Sequence, residues 1–71
     1  MFIVVEIQST EENTSVIPTT FTNLNEAESE FHRIMMYAAI STIPRHSALL
    51  LDAEGFPIKR DSYVHITEST E

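Results

Sequence analysis

His46, Ser47 and Asp52 are the nearest approach in this chain to a base, a nucleophile and an acid. Their spacing works against that chemistry. His46 and Ser47 are sequence neighbours, so along an extended strand their side chains leave opposite faces. No glycine-flanked turn lifts Ser47 toward a substrate, and no loop of backbone N–H groups stands ready for an oxyanion. Three histidines, His32, His46 and His65, could ligate zinc only if folding converged them. No two of them stand four residues apart, and the chain has no cysteine. The acidic runs Glu11-Glu12 and Glu26/Glu28/Glu30 match neither a calcium loop nor an acid–base pair held at fixed separation. No catalytic residue, metal or cofactor is expected.

A second set is more promising. Arg33, Arg45, His46, Lys59 and Arg60, with Tyr37, combine groups that hold phosphate or carboxylate with a ring that can stack on a base. Brought together, above all from two copies of the chain, they would hold a small anionic ligand such as a nucleotide. The competing reading makes them solvated charges and interface ion pairs. The residues alone leave both open.

Such residues need elements to position them. Phe2–Gln8 is rich in β-branched residues and too short for a helix, which predicts a first strand. Ile3, Val5 and Ile7 are expected to face a helix, with Phe2, Val4, Glu6 and Gln8 outward. After the polar stretch Ser9–Thr14, residues Ser15–Thr22 return as a second strand, which Pro18 places at an edge. Asn23, followed three residues later by Glu26, opens a helix over Asn23–Thr42, and Pro44 ends it. The apolar run Ser47-Ala48-Leu49-Leu50-Leu51 reads as a strand buried on both sides. Asp52-Ala53-Glu54-Gly55 supplies a hairpin turn, with the only glycine at positive φ. Phe56–Lys59 and Tyr63–Ile66 make the last strand, with a bulge or bend at Arg60-Asp61-Ser62 and a polar tail over Thr67–Glu71. The predicted fold is a single α+β domain over residues 1–71, in the order β-β-α-β-β. Its four-stranded, mostly antiparallel sheet carries one helix on one face. Strand order depends on whether strands one and three pair.

The predicted helix has two apolar sides. At about 100° per residue, Leu24, Ala27, Phe31, Ile34, Met35, Ala38, Ala39 and Thr42 share one stripe. Met36, Tyr37 and Ile40 project from the other side, around Arg33. One small sheet cannot bury both. A chain of 71 residues is also short of core and has no disulfide to compensate, which leaves oligomerisation as the staple. Met36, Tyr37 and Ile40, with the outward Phe2 and Val4, are therefore the expected interface of a homo-oligomer. A net charge of −7 argues against direct nucleic-acid binding. No segment approaches the roughly 20 apolar residues of a membrane span, and the opening run lacks signal-peptide features.

Val5-Glu6-Ile7-Gln8, Asn25–His32 and Pro44–Asp52, taken together, resemble short uncharacterised proteins encoded by bacteriophages and prophages of gram-positive bacteria. The likeness runs over nearly the whole chain. It implies a phage origin and an accessory role in the cytoplasm of the infected bacterial host, and it carries over no catalytic residue. The expected function is binding without catalysis, by a homo-oligomer that inhibits or sequesters a component or nucleotide signal of host antiviral defence. An acidic surface would suit a basic protein target. The alternative is a virion or assembly accessory protein docking on capsid or tail.

Overall fold

The computed structural model describes residues 1–65. Its elements are β1 (Phe2–Ser9), β2 (Thr14–Phe21), α1 (Leu24–Ile40), β3 (Arg45–Asp52) and β4 (Pro57–Val64). The four strands form one sheet in the order β2-β1-β3-β4, and every pairing is antiparallel. The two hairpins thus meet at β1 and β3, and α1 covers one face. Pro18, which has no N–H to donate, lies in the edge strand β2.

Local chemistry explains where the elements begin and end. Asn23 is extended, and its Oδ1 accepts from the backbone N–H of Asn25 at 2.7 Å and of Glu26 at 3.3 Å. At the other end Ser41 leaves helical geometry, and its hydroxyl accepts from the Ile43 N–H at 3.0 Å. The last helical turn holds no basic residue. His65, just past β4, instead brings Nε2 within 2.7 Å of the Ala38 carbonyl, while its own N–H donates to Pro44 at 2.7 Å. In the second hairpin Gly55 takes φ 87°, and the Asp52 carboxylate accepts from the N–H groups of Glu54 and Phe56, each at 2.9 Å.

The core comprises Val4, Ala27, Phe31, Ile34, Met35, Ala38, Ala48 and Leu50, with Phe2 and Phe21 packed against it. The alanines on α1 and β3 let helix and sheet approach closely. This core corrects the expected facing of β1. Val4 is 1% exposed beneath the helix, whereas Ile3, Val5 and Ile7 point to the opposite side of the sheet. Phe2 and Val4 are therefore core residues and not part of an outward interface. The partner strand decides the matter: Val4, Glu6 and Gln8 stand opposite Leu50, Ala48 and His46, the buried alternation of β3. Small Ala48 leaves room there, and His46 gives Glu6 a partner.

Four other expectations shift. Leu24, Ala39 and Thr42 are exposed, so the buried helix stripe is narrower than periodicity suggested. β3 is fully buried on one side only, with Ser47, Leu49 and Leu51 half-buried on the other. β4 runs unbroken through Arg60-Asp61-Ser62, and the irregularity falls between Leu50 and Leu51, where β4 begins at Pro57. The helix falls short of its expected end at Thr42, and the expected end of β4 at Ile66 lies beyond its last described strand residue, Val64. The helix stops at Ile40, while Ile66 and the tail Thr67–Glu71 lie outside the described residues.

These assignments predict how charge is tolerated. Val4→Glu and Ile34→Glu each bury an unpaired carboxylate at a cost of several kcal/mol, a large share of the stability of a domain this small. Both should lose the cooperative thermal transition seen by circular dichroism. Ile40→Glu, at a position 77% exposed, should keep it.

Candidate functional site

The six residues expected to frame an anion site are distributed over both faces of the sheet and the outside of the helix. Arg33 and Tyr37 lie on the outer side of α1, with the Arg33 guanidinium 5.6 Å from the centre of the Tyr37 ring. Arg33 is also paired with Glu30, whose hydrogen bond holds the guanidinium above its ordinary pKa. Lys59 sits on the helix side of β4, 3.9 Å from Glu28 and 6.0 Å over the Phe31 ring. His46 is beneath the helix, 3% exposed. Arg45 and Arg60 alone share the uncovered face of the sheet, level with Ser9 and Leu49 respectively. Four residues of strand separate those levels, about 13 Å. One copy of the chain therefore does not gather these six groups into a single site.

His46 has a definite role. Its Nε2 donates to Glu6 Oε2 at 2.7 Å across the central strands, and the Gln8 amide donates to the same oxygen at 2.8 Å. His46 Nδ1 is buried with no partner among the described residues. The group is a polar seam closing one end of the core. His32 stands apart, exposed on α1 with its ring edge against Phe31, and His65 is engaged at the helix end. Among the described residues no three histidine or carboxylate side chains converge as a metal site would need. Asp52 is occupied by its hairpin turn, and Ser47 faces away from His46.

Two apolar surfaces remain exposed. On α1, Met36, Tyr37 and Ile40 are 58%, 50% and 77% exposed beside Arg33. They form the patch that helical periodicity placed there. The second surface is the open face of the sheet, where Ile3, Val5 and Ile7 of β1 lie beside Leu51, Leu49 and Ser47 of β3. Val16 and Pro18 extend it on β2. Among the described residues no carboxylate points from a strand to this face. A signal for it was present in the sequence, since β1 is apolar in both alternations near its start and β3 is apolar without a break. A shallow depression between Thr10, Glu11, Glu12 and Pro44 is the remaining surface feature of note among the described residues. No described helix is long and apolar enough to cross a membrane.

The Glu6 pair predicts a pH effect. Burial opposes ionisation of Glu6, but hydrogen bonds from His46 and Gln8, with the charges of His46 and Arg33, outweigh it and hold the carboxyl below the ordinary glutamate range. A carboxyl whose pKa is lowered by folding binds fewer protons when folded. Its contribution is complete above the unfolded value, about 4.3, and is lost as pH falls through the lower folded value. From about pH 5 to about pH 3 the melting temperature of the wild type should fall more steeply than that of Glu6→Gln. Parallel curves would remove Glu6 from the acid response.

No family model, no curated protein and no solved structure matches this chain.

Proposed function

We propose that this chain is a binding protein and not an enzyme, and that it docks a partner protein through the outer side of α1. The observation that carries this reading is the exposed cluster of Met36, Tyr37 and Ile40 around Arg33. These positions are neighbours at three- and four-residue spacing on one rigid helix. Met, Tyr and Arg are types enriched at interface centres, where they supply contact area at low entropic cost. The polar groups that could do chemistry are engaged in the fold: His46 with Glu6, Asp52 with its turn, His65 with the helix end.

A protein target is favoured over a nucleotide because Arg33, His46 and Lys59 already face carboxylates. Among the described residues only Arg45 and Arg60 remain for an anion within one copy. With a net charge of −7, a basic protein is the suitable partner. The proposed setting is a phage accessory protein that meets a component of host antiviral defence in the bacterial cytoplasm. That setting rests on the resemblance of the sequence alone.

The test is retention of a host protein on the immobilised full chain, with the retained species identified by mass spectrometry. Met36→Glu and Ile40→Glu should each reduce retention of that species more than tenfold, a loss typical of interface-centre residues, with the melting curve unchanged. Equal retention by both variants would overturn the helix as the docking surface. A thermal shift with a nucleotide, abolished by Arg45→Ala, would overturn the choice of a protein target.

A further inference from the structure

We infer that the open face of the sheet is the seat of a second copy of this chain, the two sheets packing face to face with both helices outside. This goes beyond the docking role of α1 and does not depend on it.

Three observations argue for that occupant. First is area. Eight-residue strands at about 3.4 Å per residue, four abreast at about 4.8 Å, give a footprint of about 500 Å² per copy. Two copies bury about 1,000 Å² even before side-chain relief is counted, which reaches the lower bound for a specific interface. Second is composition. The centre of the face is Ile3, Val5, Leu49 and Leu51, half-buried by one another and lacking only a cover. Stacked sheets supply such a cover about 10 Å away, as in a β-sandwich.

The third observation is charge, and it selects the symmetry. Consider a two-fold axis in the plane between the sheets and parallel to the strands. It lays β1 of one copy over β3 of the other, so Val5 meets the partner's Leu49 and Ile3 meets the partner's Leu51. Arg45, level with Ser9, then lies over the partner's Ser9, where the β1–β2 connection begins. That connection carries Glu11 and Glu12 and is held in shape by Thr10, whose hydroxyl accepts from the N–H groups of Glu12 at 3.3 Å and Asn13 at 3.1 Å. Arg45 has no ion pair among the described residues and gains one across the interface. Arg60 comes to rest over the partner's Pro18, on the edge strand β2. An axis perpendicular to the strands would instead stack β4 on β4 and bring the two Arg60 guanidinium groups together midway along that edge, an unfavourable like-charge contact. The parallel axis is the one that fits.

The experiment measures mass by sedimentation equilibrium at micromolar concentration, on the full chain. The wild type should have twice the chain mass. Leu49→Glu should raise the dimer dissociation constant at least about 30-fold with helix and strand content unchanged, because it places a carboxylate at the centre of the apolar face. Ile40→Glu should remain dimeric. A charge exchange tests the symmetry: Arg45→Glu alone and the double variant Glu11→Lys/Glu12→Lys alone should each dimerise more weakly than the wild type, while their equimolar mixture associates more tightly than either. The mixture restores attraction at both Arg45 positions only if the contact runs between copies. A wild type of one chain mass would overturn the inference. So would a dimer broken by Ile40→Glu and not by Leu49→Glu, which would place self-association on α1. A mixture that associates no more tightly than either variant alone would overturn the parallel axis.

Discussion

A four-stranded sheet has two faces, and the described chain supplies one helix. The helix is about 10 Å across with its side chains, whereas the sheet is about 19 Å wide. Covering one face thus demands the most economical use of α1: a narrow stripe of Ala27, Phe31, Ile34, Met35 and Ala38, with alanines at closest approach and Phe2 and Phe21 filling the flank. Nothing on α1 is left to reach the second face. The open face of the sheet follows from this shortage. Ile3, Val5, Leu49 and Leu51 stay uncovered, and the outer helix carries more apolar surface than a solvated helix needs.

The choice of which face the helix covers turns on a polar contact. Of the two alternations of β1, the one with fewer apolar residues went inside. It carries Glu6 and Gln8, which would be costly beneath a helix without partners. His46 of β3 removes most of that cost by donating to Glu6, and Gln8 joins at the same oxygen. The pair also specifies register. A slip of β1 by one residue would send Glu6 to the open face, strand His46 without its acceptor and withdraw Val4 from the core. Replacing such a pair with apolar side chains can raise stability. In a sheet apolar on both sides, alternation alone distinguishes the faces poorly, and the pair supplies the distinction.

That is also why part of the structure was legible in the sequence and part was not. The order of elements, the Asn23 cap, the edge position of Pro18 and the positive φ of Gly55 depend on neighbours a few residues away, and each was readable. The facing of β1 depends on His46, 40 residues distant, and counting apolar residues pointed the wrong way. The irregularity lies at Leu50/Leu51, opposite the start of β4 at Pro57, and not at the polar Arg60-Asp61-Ser62. The outward patch on α1 was legible because helical period is local. Within one copy the basic residues are spread over both faces by the rule that separated His46 from Ser47. Arg45 and His46 are also neighbours on a strand, so they too must leave opposite faces.

Charge placement ties the two uncovered surfaces together. Among the described residues, the acids lie on the helix, the loops and the helix side of the sheet, and none is directed from a strand to the open face. A chain of net charge −7 meeting its own copy faces repulsion that depends on where the carboxylates stand. With them outside a face-to-face contact, most are separated by more than the Debye length of about 8 Å at physiological salt, and screening removes much of the penalty. The contact itself then brings only apolar, hydroxyl and arginine groups together, and the arginine at the rim reaches toward the partner's acidic loop. In that arrangement the two helices lie on opposite outer surfaces, each presenting Met36, Tyr37 and Ile40 in the same orientation to its own side. A partner carrying two sites, or an assembly carrying many, would be engaged twice, with gain through effective concentration and no new contact. The surface proposed to join copies thus traces to one helix serving a sheet with two apolar faces, and it leaves the outer side of α1 open for the proposed target.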